Sequence, residues 1–267
     1  MPQRHGLEVT MVRLQPIKGL CALSPVFLRL LGLILLVMAS PVAAGQEDPW
    51  LPARERMMKE IRDSVADTRH WIDRETLDPG VMASMGSTPR HLFVPEDEKR
   101  RAYENRPLPI GYGQTISQPY IVALMTDLID PKPSDRVLEV GTGSGYQAAV
   151  LSPLVSEVYT IEIIPQLGIQ AKDRLAAQGY DNVRCSTGDG YYGWPEAAPF
   201  DAIIVTAVAG QVPPPLVAQL KPGGTMVIPV GHRFGTQHLM LVVKQTNGEL
   251  VTRQVLPVRF VPLTGNH

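Results

Sequence analysis

Short apolar runs, separated by glycine-rich turns and longer mixed segments, recur along the chain from Asp135 onward. Runs of about four to eight apolar and β-branched residues predict buried strands. The predicted strands are Arg136–Val140, Glu157–Ile164, Asn182–Cys185, Phe200–Thr206 and Thr225–Val230. One helix is predicted from Tyr146, and another is predicted to end within Leu220–Gly224, where Gly223 or Gly224 can adopt the left-handed cap conformation. This alternation predicts one doubly wound α/β domain.

Three glycines, Gly141, Gly143 and Gly145, directly follow the first of these strands. Glycine lets the backbone turn sharply and approach a bound ligand without a Cβ atom in the way. A dinucleotide site uses the spacing G-x-G-x-x-G, which would place the third glycine where Tyr146 stands. The pattern therefore favours a ligand without a pyrophosphate, such as S-adenosylmethionine, over a nicotinamide dinucleotide. A structural turn that binds no ligand is the remaining alternative.

Carboxylates stand at the ends of two later strands. Glu162 follows Gly145 by 17 residues, and an acidic residue about 20 positions after such a glycine turn contacts ribose hydroxyls. Asp189 lies within the sequence TGDG at Thr187–Gly190. It can accept a hydrogen bond from an adenine amino group, although Asp and Gly are also common in ordinary turns. Together these residues predict a nucleoside site at the carboxyl ends of the strands.

Longer segments of the chain resemble the protein-L-isoaspartate O-methyltransferases, a family of class I S-adenosylmethionine-dependent enzymes. The decapeptide IGYGQTISQP at Ile110–Pro119 is the most specific of them. The matching segments are Thr88–Pro95, Ala102–Gly111, Ile110–Pro119, Val137–Leu151, Ala198–Ala207, Leu220–Gly224 and Val258–Leu263. They keep the family's order over roughly Met57 to Thr264, about four fifths of the chain.

The resemblance implies a doubly wound, mostly parallel, seven-stranded Rossmann-like methyltransferase sheet with an antiparallel C-terminal strand. Residues 57–267 would form the methyltransferase domain. Within it, residues 57–134 would be a helical cap on the substrate side, and residues 135–267 would form the S-adenosylmethionine-binding sheet.

The resemblance also implies a reaction: methylation of the α-carboxylate of L-isoaspartyl residues in damaged proteins, with S-adenosylmethionine as donor and S-adenosylhomocysteine as product. The ester then collapses to a succinimide, whose hydrolysis partly restores aspartate. A carboxylate is already anionic near neutral pH, so we expect no metal and no strong general base. The site must instead orient the carboxylate in a dry environment. The alternatives are a cofactor-binding module without catalysis and another class I methyltransferase.

Site residues follow from the same resemblance. Ser117 is the expected catalytic and substrate-binding residue, whose hydroxyl would donate to the substrate carboxylate, and Gln237 is a second expected substrate contact. From local sequence alone, Ser117 could also be the N-cap of a helix over Tyr120–Ile129. Thr206–Gln211 departs from the alanine- and proline-rich form usual in the family, which leaves its contacts open. The expected cofactor contacts are Thr115, Ile116, Gln118, Glu139, Gly141, Thr142, Gly143, Gly145, Glu162, Asp189 and Gly190.

Charge and cysteine content narrow the possible partners. The net charge is −1 and no basic block occurs, so a nucleic acid partner is not expected. Isoaspartyl-containing proteins and peptides are the expected partners, and the expected form is a monomer. Cys21 lies in the N-terminal segment and Cys185 is the only later cysteine, so removal of that segment leaves no intramolecular disulfide.

Residues 1–44 have the pattern of a secretory signal peptide. The apolar run Leu30–Met38 follows basic residues and precedes SPVAAG at Ser40–Gly45, which can hold a cleavage site. The run is too short to span a bilayer, and Arg29 interrupts a longer one, so stable membrane insertion is not expected. The leader predicts export to the periplasm.

Residues 45–56 are predicted to form a linker after this leader, with a helix from Arg54 to Asp73. Export conflicts with the cytosolic origin of S-adenosylmethionine. The alternative is a cytoplasmic protein whose translation starts near Met57.

Overall fold

The computed structural model describes residues 48–232 and 235–266. The predicted leader lies outside these residues. No helix in the described part of the chain has the length and apolar character needed to cross a membrane.

Helices and strands alternate through most of the described chain. The helices are α1 (Leu51–Ile72), α2 (Pro79–Ser87), α3 (Pro119–Leu128), α4 (Tyr146–Leu151), α5 (Pro165–Ala177) and α6 (Pro214–Gln219). The strands are β1 (Leu108–Gly111), β2 (Gln114–Ile116), β3 (Arg136–Val140), β4 (Glu157–Glu162), β5 (Val183–Thr187), β6 (Phe200–Val205), β7 (Leu220–Gly231), β8 (Gln237–Lys244) and β9 (Leu250–Val258).

Seven of these strands form one sheet in the order β5-β4-β3-β6-β7-β8-β9. The neighbours from β5 to β7 pair in parallel. The last two pairs, β7 with β8 and β8 with β9, are antiparallel. The predicted fold class, a doubly wound and mostly parallel seven-stranded sheet with antiparallel pairing at its C-terminal end, is confirmed.

The central strands are buried on both faces. In β6, Ile203 and Val205 pack into one apolar cluster, whereas Ile204 packs into the other, because successive side chains of a strand point to opposite faces. Burial on both faces explains why the predicted strands are nearly continuous apolar runs.

The helices of the N-terminal region pack on one of these faces. α3 is buried along its whole length, and the Ser84 hydroxyl of α2 donates to the Val150 carbonyl of α4 at 2.6 Å. α2 begins sharply because the Asp78 carboxylate accepts from the backbone N–H groups of Gly80 and Val81. The region therefore shares its core with the sheet, and Pro49–His267 is one compact unit.

Two predicted boundaries are wrong. α1 begins at Leu51, inside the predicted linker 45–56, with Pro52 in its first turn, where proline is favoured. The Trp50 ring just before it stacks on His91 with centroids 4.5 Å apart. The helix expected to end within Leu220–Gly224 already ends at Gln219. Leu220 pairs with β6, and regular pairing resumes at Thr225 after a bulge in which Gly223 has the left-handed φ of 84°.

The stack of Trp50 on His91 predicts a stability effect. Trp50→Ala removes a half-buried ring that packs on the core and should lower the free energy of unfolding by about 2 kcal/mol. Urea unfolding followed by circular dichroism measures the change. Trp71→Ala is the matched control, because Trp71 is 47% exposed and should contribute less. Equal losses in the two variants would contradict this role of Trp50.

Candidate active site at the carboxyl ends of the strands

The strand order reverses between β3 and β6, at the centre of the sheet. The chain runs outward from β3 through β4 to β5, and then returns to β6 on the other side of β3. A crevice opens at such a point outside the carboxyl ends of the strands, where open α/β sheets bind ligands. A pocket lies there, lined by Gly141 after β3, Glu162 at the end of β4 and Thr206 after β6.

The glycine turn that closes this pocket has a backbone that requires glycine. Gly141, Gly143 and Gly145 have φ angles of 98°, 52° and 88°, all in the left-handed region. At Gly141 a Cβ atom would also clash with the Thr206 hydroxyl. The turn therefore brings bare backbone to the pocket, as the spacing predicts.

Thr206 joins the two halves of the crevice, and it is a residue that sequence reasoning missed. Its hydroxyl donates to the Gly141 carbonyl at 2.7 Å, and its N–H donates to the Val140 carbonyl at 2.9 Å. It lines the pocket, the neighbouring groove and a small cavity below the glycine turn. The available signal was its position at the end of the apolar run FDAIIVT.

Glu162 bridges the glycine turn and the loop that follows β4. One carboxylate oxygen accepts from the Gly143 N–H at 2.8 Å and the other from the Ile164 N–H at 2.9 Å. The side chain is buried and lines the pocket. A carboxylate has about four acceptor positions, so Glu162 retains capacity for ribose hydroxyls.

Gly190 and Asp189 follow β5 at the same edge of the sheet. Gly190 lines the pocket, and a Cβ atom there would clash with Val140. The Asp189 carboxylate accepts from the N–H groups of Tyr191 and Asn266, each at 3.0 Å. It therefore anchors the C-terminal segment, of which Val261–Thr264 lines the pocket.

A buried polar network lies below the glycine turn. The Thr160 hydroxyl donates to one Glu139 oxygen at 2.6 Å, and the Thr142 hydroxyl lies 2.6 Å from that of Thr160. The other Glu139 oxygen is buried without a hydrogen-bond partner. Burial raises the pKa of Glu139 to about 8. The hydrogen bond from Thr160 opposes this increase, and the negative charge of Glu162 adds a smaller one. Glu139 and Thr142 line the same small cavity.

The segment from Thr115 in β2 to Gln118 separates the pocket from a groove. Thr115 lines both, whereas Ile116 is buried against the small cavity. Ser117 and Gln118 both line the groove, and Ser117 also lines the small cavity below the glycine turn. Gln118 does not line the pocket, and its expected cofactor contact stays a prediction. Gln118, not Ser117, is the N-cap residue of α3, so the alternative role of Ser117 as a cap is wrong. Within the described chain, the Ser117 hydroxyl makes no hydrogen bond, so it is available to a ligand.

The groove has a volume of about 600 Å³. One wall is the second half of α1, with Thr68 and Trp71, and the other is the segment from Leu256 to Val261. Thr115, Thr206 and Val261 line both the groove and the pocket, so the two spaces meet at these residues.

Gln237 supports this wall from behind. Its amide oxygen accepts from the Phe260 N–H at 2.6 Å, and its amide nitrogen lies 3.4 Å from the Phe260 carbonyl. The side chain is buried. Gln237 lines neither the groove nor the pocket, but it holds the backbone of Phe260, which does line the groove. Its expected contact with substrate stays a prediction.

Metal ligands are not clustered in the described chain: no group of three or more His, Cys, Asp or Glu side chains is arranged to hold an ion.

Comparison with known proteins identifies the family. The sheet order, the glycine turn and the acidic strand ends define a class I S-adenosylmethionine-dependent methyltransferase. The family model for protein-L-isoaspartate(D-aspartate) O-methyltransferase matches residues 69–267. The chain belongs to this family.

Individual relatives agree with this result. The chain is 59% identical to protein-L-isoaspartate O-methyltransferase 1 of Cupriavidus necator over 238 residues, which cover 89% of this chain and 92% of the relative. It is 63% identical over 209 residues to protein-L-isoaspartate O-methyltransferase 2 of a Polaromonas species, covering 78% and 99%.

Solved structures agree as well. One protein-L-isoaspartate O-methyltransferase superposes with a TM-score of 0.70 at 29% identity, covering 80% of this chain and 66% of that one. A Plasmodium falciparum protein assigned to the same enzyme type, in complex with S-adenosyl-L-homocysteine, superposes with a TM-score of 0.63 at 26% identity, covering 78% and 99%.

The raised pKa of Glu139 predicts how stability depends on pH. Because the folded protein holds a proton on Glu139 up to about pH 8, whereas the unfolded chain loses it near 4.5, stability should fall as pH rises between these values. Glu139→Gln keeps the shape and removes the ionisation, so its unfolding free energy should fall less over this range. Urea unfolding at a series of pH values measures the difference, with the exposed Glu55→Gln as control. Parallel curves for wild type and Glu139→Gln would contradict the assignment.

Proposed function

We propose that this chain transfers the methyl group of S-adenosylmethionine to the α-carboxylate of L-isoaspartyl residues in damaged proteins and peptides. The observation that carries the proposal is the meeting of a nucleoside-type pocket and a peptide-sized groove at Thr115 and Thr206, beside Ser117. Membership of the isoaspartyl methyltransferase family supports the choice of acceptor.

The pocket residues fit the cofactor. At Gly141 and Gly190 a Cβ atom would clash with Thr206 and Val140, so these two positions line the pocket with bare backbone. The Glu162 carboxylate would accept from the ribose hydroxyls, and Asp189 would accept from the adenine amino group in addition to its two backbone donors. Glu139, with its unpaired buried oxygen, would face the polar end of the cofactor. When bound, the cofactor supplies an electrophilic methyl group on its sulfonium.

The acceptor side requires orientation more than activation. A substrate carboxylate is ionised at neutral pH, so no residue has to remove a proton from it. Ser117 would donate one neutral hydrogen bond to this carboxylate and fix its direction. A single hydroxyl orients the nucleophilic oxygen without the stronger quenching that an Arg or Lys would cause. Positioning of this kind is a large source of rate enhancement.

The groove suits a short extended peptide. Its volume lies within the range of about 300–1,000 Å³ that is typical of ligand sites. Its walls, from α1 and from the segment Leu256–Val261, would exclude water from the acceptor carboxylate. We propose that specificity depends on where the backbone places the extra carboxylate, since hydroxyl and apolar side chains dominate the floor near Ser117, among them Thr115, Tyr120 and Ile121.

We propose further that the leader, residues 1–44, directs the chain to the periplasm and that the protein acts as a monomer without nucleic acid or membrane insertion. The buried position of Met57 within α1 supports a start upstream of it, because a chain beginning at Met57 would lack Trp50 and the first turn of the helix. Sequencing the mature N-terminus from fractionated cells tests this. An intact cytosolic form beginning near Met57 would contradict it.

The acceptor is tested with labelled S-adenosylmethionine and two peptides that differ only in an L-isoaspartyl or an aspartyl residue. We expect base-labile label on the isoaspartyl peptide alone. Label on neither peptide, with S-adenosylhomocysteine still bound, would favour a cofactor-binding module. Equal label on both would favour another class of methyltransferase.

Ser117→Ala tests the role of the hydroxyl. Loss of a hydrogen bond to a charged group should lower kcat/KM for the isoaspartyl peptide roughly tenfold to a hundredfold. Calorimetric affinity for S-adenosylhomocysteine should change much less than the rate, since Ser117 lines the groove and the small cavity but not the pocket that Glu162 and Gly190 line. The exposed Ser134→Ala is the matched control. An unchanged rate in Ser117→Ala would remove the proposed role.

A further inference from the structure

Arg90 is a buried cation behind the active-site segment. Its side chain is fully buried, and no carboxylate of the described chain acts on it as a counter-ion. Its Nε donates to the Ala102 carbonyl at 2.7 Å and its Nη2 donates to the Ser117 carbonyl at 2.7 Å. The remaining nitrogen, Nη1, has no hydrogen-bond partner. Arg90 therefore links a neighbouring turn to the backbone of Ser117.

The face of the Arg90 guanidinium packs on the cofactor side of the site. Its central carbon lies 4.7 Å from the centroid of the Tyr146 ring, a cation–π contact. Tyr146 is the first residue of α4 and directly follows Gly145, the last glycine of the turn. The ring is held in turn by Phe93, whose centroid lies 5.6 Å away. The Arg90 side chain thus contacts both Tyr146, at the start of α4, and the backbone of Ser117.

Burial of the charged Arg90 side chain is energetically unfavourable, so the hydrogen bonds it makes are needed to offset this cost. A buried cation without a counter-ion is unfavourable, and burial lowers the pKa of Arg90 to about 10, which still leaves it charged at neutral pH. Hydrogen bonds from a charged donor are stronger than neutral ones. The first backbone hydrogen bond of α3 runs from the Val122 N–H to the Gln118 carbonyl. The carbonyl of Ser117, one residue earlier, can therefore accept the bond from Arg90.

We propose that Arg90 is a positioning residue for methyl transfer: it fixes the Ser117 backbone and thereby holds the Ser117 hydroxyl toward the groove, in register with the cofactor turn. This inference rests on the proposed role of Ser117. Arg90 lines neither the pocket nor the groove, so it acts through Ser117 and not on the substrate directly.

A double-mutant cycle tests the proposal. Arg90→Lys keeps the charge but cannot present a planar fork to two carbonyls. In the chain with Ser117 we expect kcat/KM for the isoaspartyl peptide to fall roughly tenfold, whereas in the Ser117→Ala chain the same change should cost less than about twofold. The exposed Arg100→Lys is the matched control. Affinity for S-adenosylhomocysteine, measured by calorimetry, confirms that each variant is folded.

The outcomes separate this inference from the proposed function. Equal losses in both backgrounds would show that Arg90 serves general stability and would overturn the proposal, as would an unchanged rate in folded Arg90→Lys. If Ser117→Ala alone has no effect, the role of Ser117 falls and this inference falls with it. If the wild-type chain does not label the isoaspartyl peptide, the proposed function itself fails.

Two further experiments test the proposal if Arg90→Lys does not fold: the variant Arg90→Met, and an NMR measurement on the wild-type protein. Arg90→Met should reproduce the non-additive loss if it folds. In the wild-type complex with S-adenosylhomocysteine, the buried Arg90 Nε–H should give a slowly exchanging nitrogen-15 NMR signal. We expect saturation with the isoaspartyl peptide to shift this signal. An unmoved signal would overturn the proposal.

Discussion

The contact between Gly141 and Thr206 holds the site together. It joins the ends of β3 and β6, the two strands between which the sheet order reverses. No side chain fits at Gly141, because the Thr206 hydroxyl occupies that place. The same hydroxyl donates to the Gly141 carbonyl. The glycine turn then has to leave the sheet sharply, and its backbone forms one side of the pocket. Thr206 also lines the groove, so this contact relates the position of the pocket to that of the groove.

The two spaces are built by different physical means. The donor pocket is formed from strand ends and backbone amides, with Glu162 fixed by two N–H groups of the neighbouring turns. The acceptor groove is formed by loop and helix residues, and its key segment around Ser117 is held from behind by the buried Arg90. A pocket built on strand ends and a groove segment that Arg90 supports from behind suit a reaction that depends on alignment.

Local pattern was sufficient for the sheet and for the donor pocket. The apolar runs gave the strands, since strands buried on both faces carry few polar residues, and the glycine spacing gave the turn after β3. Glu162 and Gly190 lie where the pattern placed them because strand ends are local features. The start of α1 was missed although Pro52 stands in its first turn, where proline is favoured.

Contacts between distant segments decide where several site residues lie. Gln118 faces the groove and Gln237 supports Phe260, and neither orientation can be read from neighbouring residues. Thr206 and Arg90 were not recognised because a threonine after a strand and an arginine in a loop have no pattern of their own. Their roles follow only from what the fold brings beside them, Gly141 in one case and Ser117 in the other.

The most direct test is a crystal structure of the chain with S-adenosylhomocysteine and an L-isoaspartyl peptide. We predict that the nucleoside lies between the glycine turn and Glu162, and that the free α-carboxylate of the isoaspartyl residue lies within hydrogen-bond distance of the Ser117 hydroxyl, facing the cofactor sulfur. A peptide bound outside the groove, or a carboxylate directed away from the sulfur, would contradict the central claim that the pocket and the groove meet to align donor and acceptor.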